Sequence, residues 1–173
     1  MKIAYTMAPG RGDTDRLLFG VAQSLVAQGF RACGTVQINT DREKDGPCDM
    51  DVQVLPQGTV LRISQDLGAH SKGCRLNPEA LETAVGLVDA ALGEGIDFLI
   101  INKFGKHEAE GRGFRTVIAE ALAQGIPVLV GVNSLNIDAF QAFTEGYAQQ
   151  VTPDAASLEG WLTTTIKATQ EAA

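Results

Sequence analysis

The sequence predicts an α/β protein: a three-layer sandwich on a mainly parallel sheet, with an antiparallel hairpin at one edge. Three observations carry this expectation. Apolar runs alternate along the chain with segments whose apolar residues recur at helical spacing, the signature of strand and helix in alternation. The clearest run, Ile96-Asp97-Phe98-Leu99-Ile100-Ile101, is followed by Phe114, Val117, Ile118, Ala121 and Leu122 at helical intervals. Two β-like segments, Asp51 to Leu55 and Thr59 to Ser64, flank the turn Pro56-Gln57-Gly58 and read as the hairpin.

The elements follow in order. Lys2 to Met7 reads as a first strand, and Ala8 to Gly12 as a loop. The next helix places Leu17, Leu18, Val21, Ala22, Leu25 and Val26 on one face and stops at Gly29. A second strand lies within Phe30 to Ile38, and the polar stretch Asn39 to Asp49 is expected to be a mobile loop. After the hairpin, Asn77 as N-cap, Pro78 at the first helical position and Glu79 in the first turn announce a helix. Its apolar face is Leu81, Ala84, Val85, Val88 and Leu92. The Ile96 strand and the helix after Gly113 come next, then a strand at Pro127 to Val132, a helix around Asp138 to Glu145 and a short strand at Gln149 to Val151. Thr152-Pro153-Asp154 opens a last helix carrying Leu158, Trp161, Leu162 and Ile166. No linker or repeat divides residues 1–173, so one domain is expected.

The chain has 173 residues and a formal net charge of -7, which opposes nonspecific nucleic-acid binding, since that needs a basic face. No apolar stretch approaches the roughly 20 residues that cross a bilayer, and the N-terminus lacks a signal peptide's apolar region. A cytoplasmic protein without membrane insertion is expected. The 3 cysteines, Cys33, Cys48 and Cys74, show no C-x-x-C spacing, so neither a disulfide framework nor a zinc site is indicated. Cys33 fits a strand position. Cys74, between Lys72 and Arg75, is open to two readings: a thiolate favoured by its cations, or a small residue in a tight turn. His70 and Cys74 do not form a metal pattern, and G-x-S-x-G is absent.

Against the acidic background, cations gather where strands end. Arg11 follows the first strand, Lys72 and Arg75 follow the hairpin, and Lys103, Lys106, Arg112 and Arg115 follow the Ile96 strand. In a parallel sheet such loops emerge on one edge, where ligands of open α/β folds bind. Arg112 and Arg115 are expected in the first turn of their helix, where the macrodipole disfavours cations and a bound anion would relieve the conflict. Arginine's planar fork matches phosphate or another tetrahedral oxyanion. Gly105, Gly111 and Gly113 leave backbone room. A solvated rim balanced by Asp13, Asp66, Glu108 and Glu110 is the competing account.

The first loop, Met7-Ala8-Pro9-Gly10-Arg11-Gly12-Asp13-Thr14, stands where a phosphate-binding loop belongs. Against G-x-x-x-x-G-K-[ST], Gly12 and Thr14 match, Met7 replaces the first glycine and Asp13 the lysine. Backbone amides at the helix start still suit an anion. The plainer account is a turn capped by Asp13 or Thr14. A Rossmann loop fits worse, with Asp15 at its third glycine.

The order of elements, this loop and Asn102-Lys103-Phe104-Gly105 together resemble the small thermophile-type P-loop nucleoside triphosphatases. In that family a strand ends in Asp-Glu-Ile-Gly, supplying a magnesium-associated acid and a catalytic glutamate; here Asn102 and Lys103 stand in the acidic positions and Gly105 keeps the glycine. More closely, Asn102 to Gly113, with Ser64-Gln65-Asp66-Leu67-Gly68 and Gly73-Cys74-Arg75-Leu76, resembles a bacterial family of unknown function associated with molybdate-uptake gene neighbourhoods. The resemblance covers nearly the whole chain. It implies a P-loop-like protein that binds a small anion, either a nucleotide phosphate or a molybdate- or tungstate-like oxyanion, for carriage, sensing or regulation in molybdenum metabolism.

The departures imply weak turnover, because a magnesium-triphosphate site without its lysine and acids lacks its main charge stabilisation. A divergent nucleoside triphosphatase or kinase using Glu108, Glu110 and Lys106 is the alternative, and a subunit docking an acidic protein partner is another. The expected ligand-binding set is Gly10, Arg11, Gly12, Asp13, Thr14, Lys72, Cys74, Arg75, Asn102, Lys103, Lys106, Glu108, Arg112 and Arg115, with no catalytic residue and no metal assigned. Asp13 and Lys103, which exchange the usual signs, are expected to approach each other across the site, directly or through one water or bound anion. The hairpin's edge is a candidate surface for a homo-oligomer.

Overall fold

The computed structural model describes residues 2–40, 48–56, 58–65 and 75–171. Seven strands of the described residues form one sheet. In chain order the elements are β1 (Ile3–Thr6), α1 (Asp13–Ala27), β2 (Ala32–Thr40), β3 (Asp49–Leu55), β4 (Val60–Arg62), α2 (Pro78–Ala91) and β5 (Phe98–Phe104). Then come α3 (Lys106–Ala109), α4 (Arg115–Ala123), β6 (Val128–Val132), α5 (Ile137–Phe143), β7 (Gln149–Gln150) and α6 (Ala155–Gln170). The sheet order is β4-β3-β2-β5-β6-β1-β7. Strands β2, β5, β6, β1 and β7 are parallel, and β3 and β4 are the antiparallel departure at one edge, as expected.

Both faces of the sheet are covered. On one face Leu18, Val21 and Leu25 of α1 and Leu158, Leu162 and Ile166 of α6 pack on Ala4, Phe98, Ile100 and Leu129. On the other, Leu81 and Val88 of α2, Val117 and Ile118 of α4 and Phe140 of α5 pack on Ile3, Leu99, Ile101 and Val130. Alternate residues of β5 therefore serve opposite cores. This double burial is why its sequence is an unbroken apolar run rather than an alternating one.

Start signals in the sequence fold as they read. Asn77 accepts hydrogen bonds from the amides of Glu79 and Ala80, with Pro78 at the first helical position. Asp154 accepts from the Ser157 amide at the start of α6. Several boundaries differ. Val26 is 48% exposed, just beyond the buried stripe of α1. Leu92 lies in a 3-10 turn after α2, yet is buried. Asn39, Thr40 and Asp49, expected within a loop, belong to strands: Asn39 and Thr40 of β2 pair with Met50 and Asp49 of β3; residues 41–47 lie outside the described ones, as does Gln57.

Two differences shape the candidate site. Strand β5 does not end at Ile101 but continues through Phe104, with an irregularity in register: Ile101 pairs with Val130 and Phe104 with Val132. One extra residue on β5 is a β-bulge, which re-aims side chains at the strand's end. Gly131 makes it possible, since a Cβ there would stand 2.1 Å from the Asn102 carbonyl oxygen. The second difference is the single-turn helix α3 ahead of α4. Arg112 lies in the turn between them, so only Arg115 begins a helix.

Candidate functional site

The sheet has a topological switch point between β1 and β6. From β1 the chain passes to α1 on one face; from β6 it passes to α5 on the other. Such a divergence opens a crevice beyond the carboxyl ends of the strands. Here Gly10, Arg11, Gly12 and Thr14 line it on one side, Asn102 and Lys103 on another, and Asn133 opposite.

The loop that forms this crevice is tied by its own side chains. Gly12 takes the N-cap position with φ 75°, so neither Asp13 nor Thr14 caps α1. Thr14 instead accepts the amide hydrogen of Ala8 on its Oγ1 at 3.0 Å, closing the loop on itself. Asp13 forms an ion pair with Arg16, one turn along the helix. No direct ion pair joins Asp13 to Lys103 among the described residues; Asp13 pairs instead with Arg16 at i+3. The loops of both residues do stand at the same sheet edge, since β1 and β5 are both parallel to β6.

The acid that reaches the end of β5 is Asp15. Its Oδ1 accepts from Asn102 Nδ2 at 2.7 Å. Its Oδ2 accepts from Asn39 Nδ2 at 2.6 Å and from Gln37 Nε2 at 3.3 Å. Asn102 Oδ1 in turn accepts the Gln37 amide at 3.1 Å. Asn102 is 3% exposed, and this network explains a polar residue inside a buried strand. The sequence showed Asp15 only as a failed glycine. Its i+1 position after Thr14 was the available signal.

A second hollow of about 570 Å³ adjoins the crevice, beneath α3. Asn102 and Lys103 line both. Around the second stand Arg75, Lys106, Glu108 and Arg112. These residues have different amounts of freedom. Glu108 is 3% exposed and fully engaged: Oε2 accepts from the Gly105 amide at 2.9 Å and Oε1 from the Phe114 amide at 3.1 Å. Gly113, with φ 60°, makes room, since a Cβ there would meet Glu108 Oε1 at 2.2 Å. Glu108 therefore clamps the turn. Arg75 bonds the Gln65 carbonyl with Nε and the Cys48 carbonyl with Nη1, both at 3.0 Å, and pairs with Asp49. It ties the hairpin to the start of α2.

Arg112 and Lys106 both pair with Glu110, and the Arg112 hydrogen bond holds the Glu110 carboxyl below the usual glutamate range. All three are exposed. Arg115 is turned to other work: its guanidinium lies 4.5 Å from the Phe143 ring centroid and Nη1 donates to the Glu108 carbonyl. It lines neither hollow, nor does Asp13. Lys103, exposed on the bulge, has no hydrogen bond or ion pair among the described residues. Lys72 and Cys74 lie outside the described residues. No cluster of metal-ligating side chains occurs among the described residues.

A doubly covered, mainly parallel sheet with a glycine loop at its switch point is the architecture of P-loop nucleoside triphosphatases. A human cancer-related nucleoside triphosphatase, solved in solution, matches over 100% of both chains with a TM-score of 0.59; at 15% identity the likeness is one of fold. The chain itself belongs to the family described as a protein of unknown function, DUF2478, whose model matches residues 3–161. Among curated proteins, the molybdenum import ATP-binding protein ModC 2 of Bradyrhizobium diazoefficiens is 36% identical over 163 residues. That alignment takes in 92% of this chain but 18% of the relative, so the chain matches a minor part of a much longer protein.

Proposed function

We infer that this protein binds a small anion at the carboxyl edge of its sheet, without efficient turnover. The anion is a nucleotide phosphate or a molybdate- or tungstate-like oxyanion, and the role is carriage, sensing or regulation in molybdenum metabolism. The observation that carries the reading is Lys103: a cation without a partner among the described residues, set by a bulge where two hollows meet, with Arg11 on one side and Lys106 and Arg112 on the other. A chain of net charge -7 that gathers its cations there offers an anion one preferred place. The link to molybdenum is supported by the name of the ModC relative, of which this chain matches a minor part.

Weak turnover follows from what the loop does with its groups. The lysine position holds Asp13, the Thr14 oxygen already accepts from the Ala8 amide, and Glu108 accepts from two amides. One observation favours a divergent nucleoside triphosphatase as second reading: Asp15 brings a carboxylate to the end of β5, where the strand itself has Asn102.

A thermal-shift panel of molybdate, tungstate, sulfate, phosphate and ATP with magnesium tests both readings, since a ligand specific to the native state raises apparent stability. The first reading expects at least one anion to stabilise the protein, and Lys103→Ala with Arg112→Ala to remove that shift. It fails if no anion stabilises, or if ATP turns over at about 1 per second or faster, as ordinary enzymes do. In that event Asp15→Asn should abolish the turnover.

A further inference from the structure

The hollow beneath α3 has walls that an inorganic oxyanion does not need. Met50 and Val52 of β3, Ile63 beyond β4, Leu81 of α2 and Phe114 before α4 give it an apolar floor. Its volume of about 570 Å³ falls within the roughly 300–1,000 Å³ of cavities that enclose organic ligands, which are mostly apolar with a few placed polar groups. A tetrahedral oxyanion would fill a small part of this space. It would also gain nothing from the floor, because an ion loses hydration beside apolar groups without a compensating bond.

The polar groups are not scattered. Among the lining residues the Thr35 hydroxyl and the side-chain carbonyl oxygens of Gln37 and Asn136 have no hydrogen-bond partner among the described residues, whereas the Asn102 amide is committed to Asp15 and Gln37; Lys103, Lys106 and Arg112 supply positive charge and Glu110 negative charge. An aliphatic chain would satisfy the floor and leave the open oxygens of Thr35, Gln37 and Asn136 facing hydrocarbon, which costs free energy. A flat ring with heteroatoms on its edge satisfies both.

We propose that the ligand of this site is a heteroaromatic anion: its ring lies on the Met50–Val52–Leu81 floor, and its phosphate or equivalent group meets Lys103 and Arg112. The inference rests on the anion-binding reading above and adds the other half of the ligand. The shared lining of Asn102 and Lys103 gives it a reason to span the two hollows, with the charged group at the junction.

The test compares 4-methylumbelliferyl phosphate, inorganic phosphate, octyl phosphate and uncharged 4-methylumbelliferone by titration calorimetry on the full chain. The aryl phosphate should bind at least tenfold more tightly than inorganic phosphate and than octyl phosphate. Met50→Glu, at a half-buried position, should bring the aryl-to-inorganic ratio below threefold; reading a ratio removes any general effect of the added charge. Met50→Gln, a milder change, should lower the ratio in the same direction, so a misfolded first variant leaves the question decidable. Lys103→Ala with Arg112→Ala should weaken both phosphates equally and leave 4-methylumbelliferone unchanged.

Equal binding of aryl and inorganic phosphate, or a ratio unmoved by both Met50 variants, overturns the proposal. Octyl phosphate binding as tightly as the aryl phosphate overturns its heteroaromatic half. Should 4-methylumbelliferone bind as tightly as its phosphate, the anion-binding reading falls while the apolar site stands, so the two failures are distinct.

Discussion

The two hollows at the sheet's carboxyl edge differ in what their charged groups face. Around the first loop, the acids are settled internally, Asp13 against Arg16 and Asp15 against three side-chain amides, Thr14 closes on Ala8, and Arg11 is left without a partner among the described residues. Beneath α3, the buried carboxylate of Glu108 serves backbone, and Lys106 and Arg112 share one exposed counter-ion, Glu110. The first region has turned a phosphate-binding architecture toward holding itself together. Where the two hollows meet, Lys103 has no partner among the described residues. That difference is why the proposed anion site is centred on the bulge at Lys103 rather than on the P-loop-like turn.

The sharpest way to break this comparison is Glu108→Ala. Two backbone amides, one buried and one partly buried, would lose a charged acceptor. An unsatisfied buried donor costs about 1–3 kcal/mol, so a total loss of about 2–5 kcal/mol is expected in urea unfolding. A loss below about 0.5 kcal/mol would return Glu108 to the list of free acids.

Asp15→Ala comes next. Asn102, Gln37 and Asn39 would lose a common acceptor, but the site is partly open, and water can replace some of these bonds. A destabilisation of about 1–3 kcal/mol is expected. Anion affinity should rise rather than fall, because a carboxylate leaves the crevice. Unchanged stability would show that the amides do not depend on Asp15 and that the first hollow is as open as the second.

Much of the fold was legible, because it rests on patterns that span many residues. Alternate burial of β5 against two cores produced a recognisable apolar run, and Asn77 and Asp154 announced their helices through caps that act within three residues. The site was less legible for reasons tied to individual residues. Asn102 reads as loop by composition; it sits in a strand because Asp15 and Gln37, distant in sequence, satisfy it. Helix α3 has four residues, too few for periodicity to show. Its presence displaces Arg112 from the helix start, which removes the dipole conflict argued for that residue. Glycine spacing marked room at Gly113, though what fills it is the Glu108 carboxylate rather than a ligand.

Arg115→Ala separates structure from binding on the basic side. Its guanidinium packs on Phe143, and a cation–π contact of this kind contributes about 0.5–1 kcal/mol. A stability loss of that size, with anion affinity within twofold of the parent, is expected. A several-fold loss of affinity would place Arg115 back among the binding residues.

The smallest effect on stability belongs to Glu110→Gln, and it bears most directly on availability. Glu110 competes with any incoming anion for Arg112 and Lys106. Removing its charge should raise affinity for phosphate or molybdate by a few-fold, most visibly at low salt, since exposed pairs are screened. The same carboxyl gives a signature in acid. Arg112, ahead of Lys106, holds it below its ordinary value of 4.5 in the folded protein. Between the lowered folded value and 4.5 the unfolded chain therefore binds more protons, and stability rises with pH across that window. The contribution is fully present above 4.5 and is lost as pH falls through the folded value. Glu110→Gln should flatten this part of the stability profile below pH 4.5 while leaving the remainder parallel to the parent. If affinity does not rise although the acid profile flattens, the ion pairs exist but the cations they hold are not those that meet the anion, and Lys103 alone must carry the site.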